Sequence, residues 1–367
     1  MELQKTAYTI IISSLVLIIL LFTYLNIRQS SVSAETESEE LETCRSLIYN
    51  GEDRIDLLFL ASEEDTKRFS DTILNTPPYS ENKDYFNVFF IPPSEYEPTC
   101  EDYKGIAILC NTKENLEAAR SCPNDYIIVV KDYPINIRSS AFTNVISINK
   151  NHEDTVIIHE FGHTYGNLAE EYVIASLPRN AKNCVSSCDK FSAPIDSCNI
   201  ECSKTNLYRS INNGVMRTLA TSNYGQYNIY LLNKLLEKDK PSEPLITGSQ
   251  IFEYTECKNK NVVAIDVTEN NAKLSSELLQ GCAPNNAGAG EICIKSNGEE
   301  LCYPETVFTD SQDMSTEEVI SGEQFISDIT TLYLERTTTG QTATIILNGN
   351  EIATISLEQA GATACVV

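Results

Sequence analysis

Thr155-Val156-Ile157-Ile158-His159-Glu160-Phe161-Gly162-His163 holds two of the three histidines in a chain of 367 residues. On a helix, side chains four residues apart share a face one turn apart. Both imidazoles can then reach a single Zn²⁺, with Glu160 beside the metal as a base. Thr155 to Ile158 supply the apolar positions of a buried helix, and Asp154 stands where an N-cap is needed. Gly166-Asn167 offers a stop three residues past His163, since both residue types tolerate the left-handed conformation that ends helices. The pattern predicts a zinc hydrolase.

A catalytic zinc site needs a third protein ligand. His152 is the only other histidine, and seven residues of helix would carry it roughly 10 Å along the axis from His159. Glu170 and Glu171 lie just past the Gly-Asn stop, where a chain turning back at Gly166 brings one carboxylate to the metal. A solvated acidic patch suits the same pair, and spacing does not rank the two.

The stretch from His159 to Tyr172, HEFGHTYGNLAEEY, resembles the signature of the IgA-peptidase family of zinc metallopeptidases. That motif continues past the second histidine through a leucine and an alanine into an acidic pair and a tyrosine. Upstream, Arg54-Ile55-Asp56-Leu57-Leu58-Phe59-Leu60, a helix-like segment with Phe69, and Tyr85-Phe86-Asn87-Val88 look like the opening strand, helix and second strand of that catalytic domain. Downstream, Gly214-Val215-Met216-Arg217 is similar to the methionine turn that underlies the metal in metzincin-like enzymes. Met216 also suits an ordinary core position. The likeness spans residues 50 to 240. It implies zinc ligands at His159 and His163, the general base at Glu160 and the third ligand at Glu170. The family more often has aspartate at that last position, so Glu171 stays an alternative. A different zinc peptidase clan, with its glutamate ligand farther downstream, is a further reading.

Residues 7–27 carry no charge and are rich in Ile, Leu and Val, long enough to cross a bilayer as a helix. Lys5 before them favours a cytoplasmic N-terminus, while Val32-Ser33-Ala34 would serve as a cleavage site. The expectation is a transmembrane anchor or uncleaved signal over 1–28, with membrane contact through that helix and an extracytoplasmic catalytic domain. Cleavage would make the protein secreted. Residues 29–43, rich in Ser, Glu and Thr, read as a flexible acidic stalk. Thirteen cysteines after an export signal read as disulfides, one left over. Cys184-x3-Cys188 and Cys198-x3-Cys202 suit disulfides clasping a long insertion better than a structural zinc. The net charge of −25 argues against nucleic acid. It fixes no oligomeric state.

Strand-length apolar runs at 54–60, 85–91, 105–109, 126–130 and 145–148 alternate with helix-like segments at 64–74 and 113–120. They predict an α+β or mixed α/β fold, the sheet backing the active helix, over a catalytic domain at 44–244. Tyr227 to Leu236 reads as a closing helix. Residues 245–367 change to short Val/Ile/Thr-rich strands with a hairpin turn at Asn348-Gly349, an expected small β-sandwich acting as accessory domain or stabilising cap.

The resulting expectation is a membrane-tethered or secreted zinc endopeptidase acting on a protein or peptide substrate. One zinc is bound by His159, His163 and Glu170, and Glu160 is the catalytic base. Tyr224 and Tyr227 are candidates to donate to the tetrahedral oxyanion. The alternative is a catalytically silent cell-surface adhesion or binding protein on a metallopeptidase-like scaffold.

Overall fold

The structure, a computed structural model, describes residues 43–241, 251–285, 288–304, 308–309, 330–337 and 340–357. Four apolar runs make its centre. Strands β2 (Ile55–Leu60), β3 (Phe86–Ile91), β6 (Tyr126–Lys131) and β8 (Val145–Asn149) are buried along almost their whole length. Burial on both faces is the condition under which parallel strands persist. β2 runs parallel to β3 and β6, and β6 to β8. Antiparallel strands extend this core at both sides. These are β1 (Cys44–Ile48), β7 (Ser140–Phe142), β11 (Phe252–Tyr254) and β16 (Phe308–Thr309), giving the order β11-β1-β3-β2-β6-β8-β7-β16.

Alternation along the strands sorts side chains onto two faces. Ile55, Leu57, Phe59, Val88 and Phe90 meet helices α1 (Glu63–Leu74), α3 (Thr155–Thr164) and α4 (Gln226–Leu236) on one face. Leu58, Leu60, Phe89 and Ile91 meet α2 (Lys113–Ala119) on the other, together with a second sheet. The Ser62 hydroxyl caps α1 by accepting from the Asp65 N–H at 3.1 Å, and Thr112 caps α2 through the Asn115 N–H at 3.3 Å. Asp154, expected to cap α3, makes no capping bond and instead accepts from Arg68 Nε at 2.7 Å, tying α1 to the start of α3.

The second sheet consists of β12 (Asn261–Thr268), β13 (Asn271–Gln280) and β17 (Thr330–Glu335). Val262 and Ala264 of β12 pack on the central sheet, whereas Val263, Ile265 and Val267 face a third sheet. That third sheet is formed by β14 (Ile292–Ser296), β15 (Glu299–Tyr303), β18 (Thr342–Leu347) and β19 (Asn350–Ser356). Its hairpins turn at Asn297-Gly298 (φ 53° and 90°) and Asn348-Gly349 (φ 55° and 79°), the paired positive φ of a type I′ turn. Two small ribbons, β4 (Glu101–Tyr103) with β5 (Ala107–Leu109) and β9 (Asn199–Cys202) with β10 (Lys204–Arg209), complete the sheets.

The expected α+β or mixed α/β class is corrected. Nineteen strands stand against four α-helices among the described residues, in several sheets, so the protein is mostly β. After residue 250 the three-stranded and four-stranded sheets pack face to face through one core, as the expected sandwich requires, but this unit is not separate from the central sheet. β11 and β16 enter the central sheet, and β12 buries one face against it. The expected membrane helix at residues 7–27 lies outside the described residues. No helix among the described residues is long and apolar enough to cross a membrane. The expected membrane partnership and membrane location are accordingly withdrawn.

Twelve cysteines form six disulfides: Cys44–Cys122, Cys100–Cys110, Cys184–Cys202, Cys188–Cys198, Cys257–Cys282 and Cys293–Cys302. This bonding suits an oxidising, extracellular setting. The thirteenth, Cys365, lies outside the described residues.

Asp56 of β2 is buried and accepts from Asn87 Nδ2 at 2.8 Å. Burial pushes its carboxyl up to about 7, against the lowering pull of the Asn87 bond and of Lys260. A carboxyl raised above its unfolded value stabilises the fold fully below the unfolded pKa near 3.8, and that share is lost as pH climbs through about 7. Asp56→Asn keeps an acceptor for Asn87 and removes the titration. It is expected to raise Tm by several degrees at pH 8 and leave it unchanged at pH 4, as followed by thermal unfolding. An equal effect at both values would contradict the assignment.

Candidate metal centre

Every residue of α3 from Val156 to Thr164 is buried, so the helix is a core element and its polar side chains need partners inside the protein. His159 Nδ1 lies 2.8 Å from the Val215 carbonyl oxygen, and His163 Nδ1 lies 2.6 Å from that of Leu168. A carbonyl can only accept, so each Nδ1 carries the ring proton and each Nε2 presents a lone pair. The two Nε2 atoms face one another at 3.1 Å. Glu170 Oε1 stands 3.2 Å from Nε2 of His163, and Oε2 stands 3.4 Å from Nε2 of His159. All three side chains are fully buried.

Three electron-rich atoms this close repel unless a cation lies among them. Zinc bonds of about 2.0–2.1 Å in a tetrahedron would separate neighbouring donors by about 3.3 Å, close to these distances. Glu170 Oε2, buried with no hydrogen-bond donor, fits the same reading. The residues present therefore fit a metal ion.

A proton can take the place of that cation. Burial works against charge on His159, yet the Glu170 and Glu160 carboxylates together carry its imidazole up to about 10. Burial would likewise raise Glu170, but the two imidazoles hold it at about 2. His163 moves down, through burial and then through the neighbouring His159 charge that offsets Glu170. The proton this places on His159 Nε2 is the charge that a bound metal ion would displace.

How the chain brings Glu170 there follows from the end of α3. Asn167 takes φ 45°, and Leu168 N–H turns back to Gly162 O at 3.1 Å, reversing the backbone beneath the helix. The Asn183 side chain brackets Ala169, accepting from its N–H and donating to its carbonyl, both at 2.8 Å. Ser203 Oγ donates to the Glu170 carbonyl at 2.7 Å, and the Cys184–Cys202 disulfide packs beside it. Glu171 turns the other way. Its Oε1 accepts from Asn228 at 2.9 Å and Asn183 at 3.2 Å, and burial pushes its carboxyl up to about 7. Its N–H bonds Met216 O at 2.8 Å, linking the acidic pair to the turn at Gly214–Arg217.

Met216 is fully buried under α3. A Cβ at Gly162 would meet the Met216 sulfur at 2.7 Å and the Tyr224 ring at 3.0 Å, so the glycine lets both side chains pack directly on the helix between the two histidines. Glu160 is fully buried, and its charge acts on His159. His152 is elsewhere, its ring held by Ser139 Oγ at 3.2 Å and Ile135 O at 3.0 Å. Tyr224 is buried and donates to the Ile158 carbonyl, which makes it a brace for α3 and corrects its expected oxyanion role. Tyr227 is also buried, stacked edge-on against Phe191 at 4.8 Å. Asn183, Ser203 and Asn228 were not singled out in the sequence. They are isolated polar residues in irregular or distant segments, with no spacing to mark them.

No family model matches the chain, and no curated protein matches it.

The geometry separates the adjacent glutamates experimentally. Glu170→Ala is expected to weaken zinc binding by more than the roughly 10–100-fold typical of losing an outer-shell partner. Glu171→Gln, which keeps the acceptor for both asparagines, is expected to stay within about tenfold of the parent. Competition with a chromophoric chelator measures both, and the reverse order would show that the ligand set is wrong.

Proposed function

We propose that this chain is a zinc-dependent endopeptidase acting in an oxidising, extracellular setting. The observation that supports this most directly is the pair of Nε2 lone pairs facing each other at 3.1 Å with the Glu170 carboxylate across them. His159, His163 and Glu170 would hold the ion. Zinc bound there supplies a Lewis acid and lowers the pKa of water toward neutrality. Glu160, one residue from the first ligand and buried, is the base that takes a proton from the attacking water and delivers it to the departing amine. Val215 and Leu168 fix the imidazole tautomers through their carbonyls, and Met216 packs the helix from below. The resemblance of HEFGHTYGNLAEEY to the IgA-peptidase signature agrees with peptide bonds as the substrate class.

Glu160→Gln tests the role of the base without touching the ligands. Zinc content is expected to remain near one equivalent while turnover of an unfolded protein substrate falls by about 10²–10⁴. Retained proteolysis would sink the catalytic assignment. Purified parent protein that takes up no zinc would favour a binding protein on the same scaffold.

A further inference from the structure

A second cavity, of about 230 Å³, opens on the far face of the central sheet from α3, and no residue of the metal centre lines it. Three aromatic rings form one wall. Phe89 and Tyr254 lie 5.2 Å apart between centroids, and Tyr49 sits 6.3 Å from Phe89 and 6.4 Å from Tyr254. Asp56 lines the interior at 8% exposure. Only its Oδ1 is engaged, by Asn87, and its Oδ2 has no hydrogen-bond partner among the described residues. Exposed carboxylates of Glu52, Asp53 and Glu256 stand around it, Glu256 being fixed by the Tyr254 hydroxyl at 2.7 Å. Lys260 is the one cationic side chain in the lining, and its ammonium lies 3.3 Å from Glu335.

Three exposed carboxylates, with the buried Asp56 carboxyl behind them, against one engaged ammonium give the cavity a negative field, and the low-dielectric walls focus it. A metal ion is a poor match. Among the described residues, the groups whose donor atoms converge closely enough to hold a metal do not include these carboxylates. Spread acids beside aromatic rings suit a larger organic cation, attracted by the rings as well as by the charges.

We propose that this cavity binds an alkylammonium or guanidinium group, carried either by a free polyamine or by a lysine or arginine side chain of a polypeptide. Asp56 forms the buried ion pair, and Tyr49 and Tyr254, backed by the fully buried Phe89, take the alkyl or planar part. The site is separate from the metal centre and stands whether or not that centre is catalytic.

Calorimetric titration of the intact protein with spermidine, and separately with a short blocked peptide containing lysine and arginine, tests this. Saturable one-site binding is expected with at least one probe, and the probe that binds identifies the source. Glu52→Gln/Glu256→Gln, at exposed positions, is expected to weaken it by about tenfold, and Asp56→Asn by at least as much. Glu63→Gln/Glu64→Gln, an exposed pair on α1 outside the cavity, is expected to leave it unchanged. No saturable binding of either probe overturns the proposal. Equal weakening by the α1 pair does too, since it would reveal attraction to net charge alone.

Discussion

Two hydrogen bonds from ring nitrogens to backbone carbonyls set the character of this molecule's centre. With Nδ1 of His159 committed to Val215 O and Nδ1 of His163 to Leu168 O, the two Nε2 atoms are left to share a single cation, a proton on His159 or a metal ion in its place. Their lone pairs meet at 3.1 Å inside the protein, and the Glu170 carboxylate closes the third side. A buried arrangement of this kind is costly without a cation. Much of the surrounding structure keeps it in place: the reversal after α3, the Gly214–Arg217 turn, and the Asn183 and Asn228 side chains that hold Glu171 facing away.

The layers explain why the centre can be held so tightly. Three helices cover one face of an eight-stranded sheet, and α2 with a three-stranded sheet covers the other, that sheet itself backed by a four-stranded one. β12 serves two interfaces at once through simple alternation, with Val262 and Ala264 inward and Val263, Ile265 and Val267 outward. The C-terminal strands are thus part of the support for the sheet that α3 packs against.

Much of the local structure was legible in the sequence. The apolar runs at 54–60, 85–91 and 126–130 fall on central strands, and the runs at 64–74 and 113–120 on α1 and α2. Continuous apolar stretches and capping residues carry that signal within themselves. The mostly β class was not legible, because many contributing strands are too short or too polar to show alternation. β7 and β11 have three residues each and β16 two, while β13 is interrupted by Lys273, Ser275, Ser276 and Glu277. At the site, the two histidines are local to one helix and could be found by spacing. The choice between Glu170 and Glu171 depends on which way the chain faces after its reversal. That is decided by Asn183, Asn228 and Ser203, whose placement comes from tertiary contacts.

The nested Cys184–Cys202 and Cys188–Cys198 bridges bear on the order in which the centre is assembled. His159 and His163 come into register as soon as α3 forms, whereas Glu170 is held by a segment that its neighbouring cross-links keep against the helix. The Cys184–Cys202 bridge joins the neighbours of Asn183 and Ser203, the two residues that hold the backbone at Ala169 and Glu170, so one covalent link ties together both supports of the third donor.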